Sequence, residues 1–188
     1  MIENVQSQLR PHLDAGEVLL WTGIPRQGIT LKSADVLLIP FSLMWGGFAV
    51  FWETMVIINK TPLFFKLWGI PFVLVGFYLI FGRFLLDAKR REKTFYGLTE
   101  TRVIIKSGVF KQTIYSLNIN TLTNITLHEK ADKSGTIILG HESGFGLFRG
   151  TGWLTGKTMT PAIEMIDNAS RVYRQLTELQ AKSGRYRK

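Results

Sequence analysis

Two long apolar stretches in the first half of the chain limit its possible folds more than any other feature. Residues 36–58 contain one charged side chain, Glu53, and residues 67–86 also contain one, Arg83. As helices they would measure about 34 Å and about 30 Å, which suits a bilayer core of about 30 Å. Neither stretch has the polar stripe that a helix at the surface of a soluble protein shows. The pattern therefore predicts two transmembrane helices.

The residues around these stretches predict how they are oriented. The connection 59–66 is short, so both ends of this helical hairpin should face the same side of the membrane. Two basic residues lie in the connection. Two lie shortly before the hairpin, Arg26 and Lys32, and four more follow its second stretch. The positive-inside rule then predicts that both termini are cytoplasmic. The acidic opening of the chain and the late first apolar stretch do not fit a secretory signal peptide.

The net charge of +9 comes entirely from the second half of the chain. Residues 1–88 contain six basic and six acidic residues, whereas residues 89–188 contain seventeen and eight. A basic half joined to an apolar half favours the anionic surface of a lipid bilayer as a partner over nucleic acid. The absence of cysteine excludes disulfides, thiolate catalysis and cysteine-ligated metals. Three histidines are little material for a metal site, so we predict no metal and no cofactor.

After Lys93 the pattern changes to short alternating runs separated by turn residues, which is typical of β-strands. Two weaker strands are expected within residues 145–158. Apolar residues from Ala169 to Leu179 recur at helical spacing and predict an amphipathic helix to about Lys182, with Asp167 as its N-cap. The chain is thus expected to fold as an α+β membrane protein, with a barrel or bent sandwich of about seven strands. The five clearer strands are predicted at 94–98, 102–106, 111–117, 124–129 and 136–139.

This pattern divides the chain into four parts. We expect an N-terminal cytoplasmic segment (1–33), the hairpin (34–87), a cytoplasmic domain (88–182) and a basic tail (183–188). Residues 18–21 form an apolar run that is too short to span a membrane. We expect this run to pack against the domain or the base of the hairpin.

Four motif elements occur in a fixed order around the apolar stretches. Residues 16–25 precede them, and residues 94–102 follow with the pattern Tyr-x-Leu-Thr-x-x-Arg. Residues 135–137 and Val172-Tyr173 complete the set. With these elements the chain resembles the bacterial membrane proteins whose soluble part is a pleckstrin-homology-like (PH-like) domain. The resemblance implies a PH-like fold and a place in the bacterial inner membrane, but little chemistry, since fold does not determine function.

Motifs for catalysis do not meet their required spacing. Gly156-Lys157-Thr158 matches the end of a phosphate-binding loop, but Thr151 stands where the first glycine of that loop is needed. His141, Glu142 and Ser143 are sequence neighbours, whose side chains point apart and do not form a catalytic triad. We therefore predict that the protein is not an enzyme.

Two kinds of side chain are candidates for binding. Two basic clusters are candidates for contact with anionic lipid: Lys89, Arg90, Arg91 and Lys93, and then Lys182, Arg185, Arg187 and Lys188. Four aromatic residues are candidates for docking a protein: Phe145, Phe148, Trp153 and Trp21. The first three of these would also serve to fill the domain core. We expect a non-catalytic binding module that docks a protein partner or assists a membrane complex. The alternative function is recognition of anionic phospholipid headgroups at the inner leaflet.

Overall fold

The computed structural model describes residues 2–31, 35–140 and 161–185, which divide into two compact units. The helical unit consists of the described residues of Ile29–Ala88. The β unit consists of the described residues up to Gly28 and from Lys89 onward. In chain order the elements are α1 (Ile2–Leu9), β1 (Trp21–Gly23), α2 (Asp35–Ile58), α3 (Leu63–Phe77), a π-helical turn (Tyr78–Gly82), α4 (Arg83–Glu92), β2 (Phe95–Leu98), β3 (Arg102–Ser107), β4 (Thr113–Asn118), β5 (Ile125–Glu129), β6 (Gly135–Leu139), β7 (Ala162–Ile166) and α5 (Ala169–Arg185).

The two predicted apolar helices are present. Helix α2 has 24 residues, and the run from α3 through the π-helical turn to the end of α4 has 30. Both are long and apolar enough to cross a membrane, by length and composition. The second helix starts at Leu63, four residues earlier than predicted, because Pro62 occupies its N-cap position and leaves a short connection.

Glycines allow the backbones of α2 and α3 to approach each other closely. A Cβ atom on Gly76 would lie 2.9 Å from the Cα atom of Gly46, so the two backbones approach as closely as glycine allows. Asp35 of α2 pairs with Arg83, whose Nη1 atom lies 3.2 Å from the carboxylate. Only 17% of the residues in each apolar window are buried, so most apolar side chains of this unit point outward.

The β unit contains two antiparallel sheets around one apolar core. Strands β1 to β4 form the first sheet in that order, and β5, β6 and β7 form the second. Side chains from both sheets, such as Leu98 and Ile137, meet those of α5, such as Leu176. Among the described residues no strand pairing joins the two sheets. The strands therefore do not form the closed barrel that the sequence left open as an alternative.

The five clearer strand predictions are confirmed as β2 to β6, to within two residues at each end. Strands β1 and β7 were not predicted. Strand β7 is hard to recognise because a bulge distorts its pairing with β6, and Met165 adopts a left-handed backbone conformation in it. The two weaker strands expected within residues 145–158 lie outside the described residues.

The N-terminal segment covers the outer face of the first sheet. Val5 and Leu9 of α1 pack on Ile104, and Leu19 packs beside them. Gly97 makes this contact possible, since a Cβ atom there would lie 2.9 Å from the side chains of both Leu9 and Leu19. Residues 2–28 thus contribute a helix and an edge strand to the same compact unit as β2 to β7.

Helix α5 closes the core as predicted. Ala169, Val172 and Leu176 are buried, and Tyr173 and Leu179 pack against the same core. Its predicted N-cap is wrong, because the helix begins two residues after Asp167. The carboxylate of Asp167 accepts a hydrogen bond from Arg26 instead.

Candidate binding surfaces of the domain

The first predicted basic cluster lies at the end of α4, where the chain enters the β unit. Lys89 and Lys93 are exposed, and Arg90 is half-buried. Arg91 is only 4% exposed. A side chain buried to that extent does not reach a lipid headgroup, so the exposed cations of this cluster are Lys89 and Lys93.

Arg91 joins three separate parts of the β unit. Its Nη2 atom donates a hydrogen bond of 2.6 Å to the carbonyl of Gly28, and its Nη1 atom lies 3.8 Å from the sulfur of Met165. Its own carbonyl accepts a weaker hydrogen bond from Gln27 at 3.4 Å. These contacts hold together the two points at which the chain leaves and re-enters the unit. The lipid-facing role predicted for Arg91 is therefore corrected to a structural one.

The second predicted basic cluster is described only in part. Lys182 is exposed on α5, and Arg185 is the last residue of that helix. Arg187 and Lys188 lie outside the described residues. The helix thus continues three residues past its predicted end, into the segment expected to be a tail.

The predicted docking aromatics differ in what the structure describes. Trp21 is the first residue of β1, pairs with Leu98 and packs half-buried against the core, with its indole over Gly23. Of the apolar run at residues 18–21, Leu19 and Trp21 pack against the domain, whereas Val18 and Leu20 are 66% and 40% exposed. Phe145, Phe148 and Trp153 lie outside the described residues.

The turn between β3 and β4 carries an exposed aromatic residue that was not predicted. Phe110 is 94% exposed, more than any other large apolar side chain in the described part of the chain. Gly108 shapes this turn with a φ of +146°, and a Cβ atom there would collide with the carbonyl oxygen of Lys111. The signal was present, since Val109-Phe110 is an apolar pair in a turn, where polar residues are usual.

An ion pair connects two of the motif elements that characterise the sequence. The Nε and Nη2 atoms of Arg102 donate to the two carboxylate oxygens of Glu17, at 2.9 and 2.6 Å. These hydrogen bonds lower the pKa of Glu17 from its usual value near 4.5 to about 2. Asp14 also pairs with Arg102, at 3.0 Å. The pair fastens the N-terminal segment to the first sheet.

Threonine in the same motif closes the turn between β2 and β3. The Thr99 hydroxyl oxygen accepts hydrogen bonds from the backbone N–H groups of Thr101 and Arg102. It also donates to the carbonyl of Arg102 at 3.1 Å. The Leu-Thr-x-x-Arg pattern is therefore explained by a turn and an ion pair, and needs no ligand.

A second charged group surrounds Arg26. Its guanidinium contacts Asp132 at 2.5 Å and Asp167 at 2.9 Å. Hydrogen bonds from the Ser134 hydroxyl and backbone N–H, followed by those from Arg26, lower the pKa of Asp132 to about 2. Both acidic side chains thus serve the contact between residue 26 and the second sheet.

The described residues show no grouping typical of a metal centre. Within residues 2–31, 35–140 and 161–185, no three side chains of the types His, Asp and Glu are placed to hold a metal ion. His128 is exposed on β5, and His141 lies outside this part of the chain. The candidate binding side chains of the domain are instead the exposed cations Lys89 and Lys93 and the exposed ring of Phe110.

The Bacterial PH domain family matches residues 36–180, which cover most of the chain from the first apolar helix into α5. No curated protein and no solved structure matches the chain. PH domains are in general non-catalytic binding modules. The two sheets, the C-terminal helix and the family match agree, and the chain belongs to the bacterial PH domain family.

Proposed function

We propose that the protein is a non-catalytic binding module anchored in the bacterial inner membrane by its helical hairpin. Its PH-like domain docks a protein partner in that membrane or assists a membrane complex. The observation that carries the anchoring is the outward exposure of the hairpin's large apolar side chains. These include Leu43, Phe48, Phe51, Leu63, Phe64 and Leu74, each more than half exposed.

Exposure on this scale is costly in water. Burying one large apolar side chain contributes about 1.5–3 kcal/mol, and soluble monomers rarely expose a contiguous apolar patch larger than a few hundred Å². The 24 residues of α2 extend over about 36 Å, enough to cross a hydrocarbon core of about 30 Å. A bilayer covers the apolar parts of both helices.

The charges at the two ends of the hairpin support cytoplasmic termini. Lys89 is exposed in the last turn of α4 and Lys93 is exposed just after it, with Arg90 half-buried between them. The connection at the opposite end carries only Lys60 and Lys66. By the positive-inside rule, the excess of basic residues beside the domain supports a cytoplasmic location for that side.

The absence of cysteine makes this orientation directly testable. Single cysteines replace Thr61 in the hairpin connection and Glu100 in the exposed β2–β3 turn. A membrane-impermeant maleimide applied to intact spheroplasts should label position 61 and leave position 100 unlabelled. Permeabilised cells, in which both positions should react, are the control. Equal labelling of the two positions in intact spheroplasts would contradict the hairpin topology.

Docking of a protein is tested by crosslinking the full-length protein in native membranes and recovering it in detergent. We expect one membrane protein or complex to be recovered in comparable amounts from wild type and from a variant with Lys89→Gln and Lys93→Gln. The exposure of these two lysines favours the alternative function, recognition of anionic headgroups. That alternative is supported if no protein is recovered and the wild-type domain docks on phosphatidylglycerol nanodiscs in a salt-sensitive manner that the variant loses.

A further inference from the structure

We propose that the β3–β4 turn is a membrane-contact element, in which Phe110 inserts into the interface of the inner leaflet and Lys111 meets its anionic headgroups. The proposal rests on the proposed anchoring of the hairpin in the same membrane. It adds a second attachment point, on the domain, to the covalent one.

The chemistry of the turn fits a bilayer interface. Phe110 is almost fully exposed, Val109 is half-buried and Lys111 is exposed beside them. An aromatic ring next to a lysine is the combination that anchors proteins at the level of lipid headgroups. The tight turn at Gly108 presents the ring on a short hairpin rather than on a long loop.

The strand register places this turn at one particular end of the first sheet. Phe95, at the start of β2, pairs with Lys106 near the end of β3, and Ser107 pairs with Thr113 at the start of β4. A buried hydrogen bond of 2.9 Å joins the hydroxyls of Thr94 and Ser107. The turn with Phe110 therefore lies at the end of the sheet where the chain enters from α4.

The first connection to the hairpin leaves from this same end of the sheet. Gly23, the last residue of β1, pairs with Tyr96 near the start of β2. Thr94 follows Ala88, the last residue of the helical unit, by only six residues. Six residues span at most about 20 Å, so the covalent chain allows Thr94 no more than that distance from Ala88.

The charges at this end favour lipid over protein as the occupant. Within the turn and the chain entry, residues 108–112 and 89–93, the exposed charges are Lys89, Lys93 and Lys111 against Glu92. A single protruding ring among cations suits a bilayer, which accepts one aromatic side chain wherever it meets the interface. A protein interface instead needs a patch of apolar side chains around such a ring. Lys111, Gln112 and Thr113 directly beside it are exposed and polar or charged, and the next apolar side chain, Ile114, is 42% exposed.

The test uses single cysteines in the full-length protein, each labelled with a polarity-sensitive fluorophore. Position 110 reports on the turn. Position 100 is the matched control, because Glu100 is exposed at the opposite end of the same sheet. Position 51 reports on anchoring, because Phe51 points outward from α2. The proteins are reconstituted into vesicles of phosphatidylcholine and phosphatidylglycerol, with and without lipids that carry a nitroxide quencher near the headgroup.

We expect a blue-shifted emission and severalfold stronger quenching at position 110 than at position 100. Lys111→Gln should reduce the quenching at position 110 at low salt. Quenching at position 51 but not at position 110 would overturn the inference and leave the anchoring intact. Loss of quenching at position 51 as well would refute the anchoring itself. A blue shift at position 110 that occurs in native membranes but not in pure lipid would identify a protein as the occupant and also overturn the inference.

Discussion

The helical unit and the β unit use the same apolar residue types in opposite ways. Leu98 in the β unit is fully buried, whereas Leu43 in the helical unit is 56% exposed. The β unit is held by a core of large side chains, whereas the backbones of α2 and α3 approach each other closely at Gly46 and Gly76. The proposed anchoring accounts for this difference. Water drives the apolar residues of the β unit inward, while a bilayer would accept those of the hairpin on its outside.

The largest expected effect comes from shortening a buried leucine of the β unit, compared with an outward-facing leucine of the helical unit. Leu98→Ala should destabilise the β unit by about 2–5 kcal/mol, because it leaves a cavity between the sheets. Leu43→Ala, the matched control, should change its stability by less than about 0.5 kcal/mol, since it removes no contact there. Thermal unfolding of the detergent-solubilised protein, followed by circular dichroism, measures both. Equal losses would mean that the units do not differ in how they are held.

A smaller effect separates two neighbouring cations that the sequence does not distinguish. Arg91→Gln should cost about 1.5–3 kcal/mol, because the carbonyl of Gly28 loses a charged donor. Lys93→Gln removes the same charge from an exposed site and should leave stability nearly unchanged. The same unfolding measurement applies. An equal melting temperature for the two variants would contradict the structural role of Arg91.

Periodicity and charge predicted the elements that carry a regular pattern. The apolar helices, strands β2 to β6 and the amphipathic stripe of α5 all follow local spacing. Strands β1 and β7 escaped prediction because β1 has three residues and β7 contains a bulge at Met165. Both depend on pairing with distant residues, which one sequence does not reveal. The described residues thus contain seven strands, of which five were predicted, and the two strands expected within residues 145–158 stay a prediction.

The binding surfaces were less predictable than the fold, for the same reason. Arg91 is buried by Gly28 and Met165, which lie 63 and 74 residues away in sequence. No local pattern distinguishes it from Lys89 or Lys93. Phe110 was recognisable in principle, since its neighbours form a turn, but its position beside the hairpin connections follows only from the strand register.

The contact between the apolar helices gives the next prediction. Gly76→Ala should destabilise the hairpin by about 1–2 kcal/mol, because the added methyl meets the backbone of Gly46. Gly47→Ala is the matched control, as a Cβ atom there has nothing within 4 Å. Titration with SDS in mixed micelles, followed by the emission of the hairpin tryptophans, compares the two. If Gly47→Ala weakens the hairpin equally, the helices do not meet at Gly46 and Gly76.

The smallest effect depends on pH and belongs to the β unit, whose ion pairs lie beside water. Arg102 lowers the pKa of Glu17 to about 2, from about 4.5. Between these values the unfolded chain binds a proton that the folded protein does not, so stability should fall as the pH drops from about 4.5 towards 2. Asp132, with a pKa of about 2, acts in the same direction.

Glu17→Gln should therefore make the loss of stability in acid smaller by about 1–2 kcal/mol, without abolishing it. Glu100→Gln, at an exposed site, should leave the wild-type pH profile unchanged. If Glu17→Gln kept the full wild-type loss of stability in acid, the Glu17–Arg102 pair would not fasten the N-terminal segment.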